Sequence, residues 1–265
     1  MKVKMEFFDS HAHLNDEKFT QDLPEVICQI CEAQVTRVIS AGYSLASSKK
    51  SIQLAREYDF IYSTCGISPN DIPQSEEELW KMLEEIQDLA QNHVKVIAIG
   101  EIGLDYYWEK DEKRRKLQQK AFEKQIKLAN ALSLPIVIHT RDAMIDTIRI
   151  LQENPVNQKG VFHCCPQNQE LIREALALGF FISFAGPITF KNAKHANEII
   201  ETVPLDRLFI ETDSPYLAPE PVRGRRNTPA NVPYIAQKIA EVKQISLEEV
   251  AKQTYQNANK LYHLH

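Results

Sequence analysis

The stretch Phe8-Asp9-Ser10-His11-Ala12-His13 ends a short apolar run on two histidines one residue apart. In an extended strand, side chains at i and i+2 point the same way. His11 and His13 therefore present two imidazoles to one side of a strand end, which suits a metal ion. Alone, a His-x-His pair is a weak sign, because two exposed histidines would read the same way. Its weight comes from four more ligand-type residues, each closing a short β-type run: Glu101 after Val94 to Gly100, His139 after Pro135 to Ile138, His163 after Gly160 to Phe162, and Asp213 just past Arg207 to Ile210. The chain has eight histidines, and four of them fall in this set. His93, His195, His263 and His265 lie in helices, helix ends or the tail and read as surface residues.

Four imidazoles and two carboxylates exceed the three protein ligands that a catalytic zinc usually takes. They suit two divalent ions with one carboxylate bridging, and Glu101 is the expected bridge. Two ions about 3.5–4 Å apart activate a water and stabilise both the attacking and the leaving oxygen of a displacement. Asp213 is the expected acceptor of the water's proton. With only nitrogen and oxygen ligands, Mg, Mn, Zn and Co all remain open. Arg141 shares strand parity with His139 and could hold a phosphate; a salt bridge to Asp142 or Asp105 is the plainer alternative. Asp105 shares parity with Glu101 and is a candidate to orient a ligand from behind. Arg223-Gly224-Arg225-Arg226 is a compact basic loop, fit either to grip a phosphate backbone or simply to be solvated. Cys164 follows His163 directly, so its side chain is expected to point away from the metals and pack, as is that of Cys165. Cys28-x-x-Cys31 has no second pair or nearby histidine and reads as packing rather than as a zinc site.

The elements that would position these residues follow in regular order. Glu17 to Ala33 has helical apolar spacing at Leu23, Val26, Ile27 and Ile30. Strand-like runs at Arg37 to Ala41 and Phe60 to Ile67 flank a helix over Leu45 to Tyr58. Ser75 caps an acidic helix with Glu76, Glu77 and Glu78 in its first turn. Val94 to Gly103 is nearly all apolar, as a strand buried on both faces should be. Helices over Lys113 to Leu132, Ala143 to Gln152 and Ala193 to Thr202 alternate with the later strands, and two more close the chain. Eight βα units predict an α/β fold of the (β/α)8 TIM-barrel type with a closing C-terminal helical segment, whose active site lies at the C-terminal ends of the strands. No linker divides residues 1–265, which read as one domain.

Composition narrows the function classes. Charged residues are 25% and hydrophobic ones 43% of the 265, a globular balance, and no apolar stretch approaches the roughly 20 residues needed to cross a bilayer. No membrane partner is expected. Five scattered cysteines and the lack of an apolar leader predict a reducing, cytoplasmic setting. A net charge of −5 means that any nucleic-acid contact must come from a local basic patch. Oligomeric state is open, a monomer included.

His11-Ala12-His13-Leu14, Gly100-Glu101-Ile102-Gly103-Leu104-Asp105-Tyr106, His139-Thr140-Arg141-Asp142, Glu211-Thr212-Asp213-Ser214-Pro215-Tyr216-Leu217 and Arg223-Gly224 with Asn227-x-Pro229 together resemble the TatD family of metal-dependent deoxyribonucleases, within the amidohydrolase superfamily. The resemblance runs from the first strand to the final helices. It implies the barrel, a centre of two divalent metals and hydrolysis of DNA phosphodiesters, as 3′-5′ trimming of single strands or 3′ ends. By position it makes His11, His13, Glu101, His139, His163 and Asp213 the metal ligands, the six already selected by spacing. Arg141, Arg223, Arg225 and Asn227 are the expected substrate contacts. Two departures concern the rim. Ser68 stands in Gly66-Ile67-Ser68-Pro69 where the family commonly has Gly-x-His-Pro, and Cys165-Pro166 replaces the usual Phe and small hydroxyl residue after His-Cys. Two other function classes stay open: an amidohydrolase acting on a small ester, lactone or amide, and a non-catalytic metal- or nucleic-acid-binding barrel. Many of the former bridge their metals with a modified lysine on strand 4, where this chain offers Glu101.

Overall fold

A computed structural model describes residues 5–265. Eight parallel strands pair in chain order: β1 (Phe7–Ala12), β2 (Val35–Ser40), β3 (Ile61–Cys65), β4 (Val96–Asp105), β5 (Ile136–Arg141), β6 (Gly160–Phe162), β7 (Phe181–Phe184) and β8 (Leu208–Ile210). Seven helices connect them: α1 (Leu23–Glu32), α2 (Leu45–Glu57), α3 (Glu76–Asn92), α4 (Glu112–Leu132), α5 (Met144–Glu153), α6 (Gln169–Ala177) and α7 (Ala196–Thr202). Two more, α8 (Val232–Lys243) and α9 (Leu247–Tyr262), follow β8. The (β/α)8 TIM barrel with closing C-terminal helices is therefore the architecture. Bonds just past the strands close the ring between its first and last members. Asp213 N–H donates to His11 O at 2.9 Å, and His13 N–H donates to Ser214 O at 2.7 Å.

The core has two layers. Helices pack on the outside of the sheet through Val26, Ile30, Leu79, Phe122 and their neighbours. Inside the barrel, Phe8, Ile97, Val137, Val161, Phe181 and Phe209 fill the lower half, and Ala258, Leu261 and Tyr262 of α9 plug it from below. The floor is thus apolar and the upper half is left to polar groups. The rim, where the strands end, is the face on which barrels of this type carry their active sites.

One helix differs from expectation. The run from Glu17 breaks into a 3-10 turn at Glu17–Phe19 and α1 from Leu23. Pro24 lies in the first turn of α1, and a proline without an N–H is tolerated there but not in a helix interior. Cys28 and Cys31 are also exposed, contrary to the packing expected of them. Val26 and Ile30 face the core, and that orientation turns both thiols outward.

Candidate active site

β1 brings His11 and His13 to the rim with Nε2 atoms 3.3 Å apart. Register shifts interrupt β1 between Asp9 and Ala12, and β4 between Ile99 and Ile102. The two shifts bracket His11 and Glu101, and such irregularities re-aim side chains. Glu101 enters from β4 with its two oxygens divided. Oε1 lies 3.0 Å from His139 Nδ1 and 3.2 Å from His163 Nε2, whereas Oε2 lies 3.6 Å from His11 Nε2 and 3.8 Å from His13 Nε2. Asp213 Oδ1 faces the second pair, 3.2 Å from His13 Nε2 and 3.8 Å from His11 Nε2. All six residues selected from the sequence meet in one place.

Gly103 allows β4 and β5 to approach at this level. Its φ is +139°, and a Cβ there would lie 2.0 Å from the His139 carbonyl oxygen, so only glycine fits. Asp213 and Cys164 also adopt positive φ, 53° and 38°. The left-handed turn at Asp213 puts its carboxylate over the barrel mouth, three residues past the end of β8.

Behind the six lies a set of buried carboxyls. Asp105 Oδ2 is 3.1 Å from His139 Nε2 and accepts from Asn70 Nδ2 at 3.1 Å, while Oδ1 accepts the backbone N–H groups of Tyr107 and Trp108 at 3.0 Å each. Burial alone would raise its pKa, but the bonds from His139, Trp108 and Asn70 win and hold it down at about 2. Glu211, fully buried, places Oε1 3.4 Å from His163 Nδ1 and accepts the Cys164 N–H there at 2.6 Å. Sequence reading passed over Glu211, although it sits in the same Glu-Thr-Asp run as Asp213. Asp9, also fully buried, accepts from Thr212 N–H at 2.9 Å and bonds Thr212 Oγ1 at 2.5 Å. Its pKa is raised well above the usual carboxylate value, because burial outweighs those bonds.

Electrostatically, imidazoles and carboxylates offset the burial that penalises both. Burial works against the Glu101 anion, yet His163, His11 and His139 hold its pKa well below the usual range. His163 is raised despite burial by Glu101 and Glu211. His11 is lowered by burial and by His163. Paired ring nitrogens also converge, His11 on His13 at 3.3 Å and His139 on His163 at 3.2 Å. Lone pairs aimed at one another repel, and a divalent cation between them and the carboxylates removes that conflict. Ligand atoms of His11, Glu101 and His163, and of His11, His13 and Asp213, lie within 4.8 Å of one another. This nitrogen and oxygen donor set fits metal ions of the Zn, Mn, Co and Mg group.

A cavity of about 540 Å³ opens beside the cluster, lined among others by His139, Arg141, His163, Cys164, Asp213 and Tyr216. Arg141 makes neither of the salt bridges considered for it; its guanidinium lies over the Tyr107 ring, 3.7 Å from the centroid. Cys164 is half-buried and, like Cys165, contributes to the cavity lining; its left-handed backbone takes it out of regular strand parity. Cys165 is buried, as expected. Arg223 and Arg225 are exposed and outside the cavity lining. Arg223 lies over Phe190, and Arg226 pairs with Asp22. Asn227 is fully buried, and the substrate contact expected of it is corrected. Its Nδ2 donates to Thr212 O at 2.9 Å and Tyr216 O at 2.8 Å, and its Oδ1 accepts from Thr228 N–H at 3.0 Å and Asn231 Nδ2 at 2.9 Å. It fixes the loop that carries the arginines. Ser68 is also buried and donates to Asp71 Oδ2 at 2.6 Å.

A TIM barrel with histidines and carboxylates gathered at its strand ends is the architecture of the metal-dependent hydrolases of the amidohydrolase superfamily. Residues 8–263 match the TatD related DNase family, and this chain belongs to it. The metal-dependent hydrolase YabD of Bacillus subtilis is 44% identical over 97% of this chain and 99% of its own length. The metal-dependent hydrolase YcfH of Escherichia coli K12 is 38% identical over 97% and 95%. In three dimensions the chain is similar to the crystal structure of YJJV, a TatD homologue from Escherichia coli K12, with a TM-score of 0.90, 25% identity and 98% of each chain covered. The protein is a metal-dependent hydrolase. No helix among the described residues is long and apolar enough to cross a membrane.

Proposed function

We propose that the protein hydrolyses phosphodiester bonds of DNA, trimming single strands or 3′ ends, with two divalent ions held by His11, His13, Glu101, His139, His163 and Asp213. The observation that carries this reading is the divided Glu101, one oxygen toward His11 and His13 and the other toward His139 and His163. Divalent ions bound there would supply Lewis-acid chemistry, making a water more acidic and stabilising charge on the phosphate oxygens. Glu101 would be the carboxylate shared by both ions, and Asp213 would be the group placed to accept the proton of the attacking water. Arg141, at the cavity wall, holds a phosphate oxygen, and the Arg223 and Arg225 loop offers a more distant grip on the backbone. Asp105 and Glu211 keep His139 and His163 in their tautomers from behind.

The test is shortening of a 5′-labelled single-stranded DNA with Mg or Mn, beside an EDTA control and the His139→Ala and Asp213→Asn variants. Metal-dependent loss of 3′ nucleotides that disappears in all three supports the reading. Intact DNA with two metals bound per chain refutes it and moves the assignment to a small ester, lactone or amide, for which the cavity of about 540 Å³ is large enough. Failure to bind any divalent metal would point to a non-catalytic barrel.

A further inference from the structure

Two aromatic side chains stand exposed where β4 ends, beside the cluster but with no part in holding a metal. Trp108 is 67% and Tyr107 43% exposed. Their rings meet edge to face, with centroids 4.8 Å apart and planes at 86°. Single exposed hydrophobic residues are ordinary on a protein surface and need no account. This pair differs because a cation caps it: the Arg141 guanidinium lies 3.7 Å from the Tyr107 centroid and 5.7 Å from that of Trp108. Among the described residues the guanidinium makes no ion pair, and Arg141 is exposed. Arg141 itself lines the cavity together with His139, His163 and Asp213. Lys110 Nζ adds a second positive charge, 5.7 Å from the Tyr107 centroid.

The turn carrying this pair is tied to the cluster through a single carboxylate. Asp105 Oδ1 accepts the N–H groups of both Tyr107 and Trp108, while its Oδ2 faces His139 Nε2. The backbone of the aromatic turn is therefore held at a set position relative to His139. Exposed rings interleaved with cations are what single-stranded nucleic acid requires, because every base has a π face and every linkage a negative charge. A guanidinium serves both, stacking on a ring and donating to phosphate.

We propose that Tyr107, Trp108 and Arg141 form a stacking subsite for the base of the nucleotide next to the phosphate in the cavity, a site selective for single-stranded DNA with its bases unstacked. This rests on the nuclease reading above. Base pairing in a duplex hides the faces on which the subsite acts, so single strands and frayed ends are preferred over intact duplex.

The chain has two tryptophans, so Trp80→Phe leaves Trp108 as sole reporter. That protein, loaded with Mg, is mixed in stopped flow with a thymidine pentanucleotide or with an abasic pentanucleotide of the same backbone, and fluorescence is read before turnover. The thymidine strand should quench Trp108 and the abasic strand should not. Tyr107→Ala in the same background should weaken the thymidine strand about tenfold, the order expected for one lost base–aromatic stack, and shift the abasic strand much less. By anisotropy of a labelled strand, Trp108→Phe should recover most of the affinity that Trp108→Ala loses. Equal quenching by both strands, or unchanged affinity in Tyr107→Ala, overturns the subsite. DNA shortening without base-dependent quenching removes the subsite and leaves the nuclease reading standing. Base-dependent quenching without shortening removes the nuclease reading alone.

Discussion

Replacing Asp105 with Asn should weaken metal binding at the His139 and His163 side of the site by about 10- to 100-fold, with the fold preserved. The reason is a tautomer. In the native protein Asp105 is ionised at neutral pH, its pKa held at about 2. Its Oδ2 accepts the Nε2 proton of His139 at 3.1 Å, which leaves the Nδ1 lone pair directed at the Glu101 and His163 side. Asn at this position keeps an oxygen for the Tyr107 and Trp108 N–H groups but places an NH2 against both His139 Nε2 and Asn70 Nδ2. Donor would then face donor. His139 relieves the contact by moving its proton to Nδ1, and the lone pair needed by a metal is lost. A group that orients a ligating histidine is typically worth 10–100-fold in metal affinity, or about 1.4–2.7 kcal/mol at 1.36 kcal/mol per factor of ten. Isothermal titration of EDTA-stripped protein with Mn reads the affinity, and circular dichroism reads the fold. Two Mn sites of unchanged affinity in Asp105→Asn would refute the tautomer argument; loss of folded signal would show instead that the Tyr107–Trp108 turn depends on the charge.

Glu211→Gln should act in the same way on His163, lowering Mn stoichiometry measured after equilibrium dialysis toward one ion per chain; two retained ions would remove its orienting role. Asp9→Asn should stabilise the protein more at pH 8 than at pH 4. The native pKa of Asp9 is raised by burial, so its contribution is complete below the unfolded value of 3.8 and lost as pH rises through the folded one, a loss that Asn avoids; a melting-temperature difference constant across pH would contradict this. Asn227→Ala should cost about 2–4 kcal/mol in urea denaturation, because it strands the Thr212 and Tyr216 carbonyls and the Thr228 N–H in the interior. A rise in KM for DNA at unchanged stability would restore it as a substrate contact. Saturating the stripped protein with Mn at about 100 times its dissociation constant should add about 2.7 kcal/mol, a rise of several degrees in melting temperature; no rise would mean that metal does not bind the folded state preferentially.

Much of this molecule is decided by rules that act along the chain. Alternating β-type and helical runs point to a parallel sheet and eight of them to a barrel, and a barrel places strand ends on one face, so the convergence of His11, His13, Glu101, His139, His163 and Asp213 follows from their positions at those ends. Parity explains the His11–His13 pair for the same reason: i and i+2 share a side of a strand. What tertiary structure decides is whatever depends on departures from regular strands or on contacts across the ring. The left-handed turns at Cys164 and Asp213 leave regular strand geometry, and the register shifts in β1 and β4 re-aim side chains beside His11 and Glu101. Pairing of β6, β7 and β8 brings Glu211 behind His163, and bonds to Thr212 and Tyr216 draw Asn227 inward under the arginine loop. Cys28 and Cys31 are exposed because the core claims the other face of α1. Arg141 is adjacent to Asp142 in sequence, but the turn after β4 offers it an aromatic face instead. Local spacing thus determined which side chains reach the rim, and closure of the sheet determined which atoms of each face one another, since those distances join residues as far apart as His13 and Asp213.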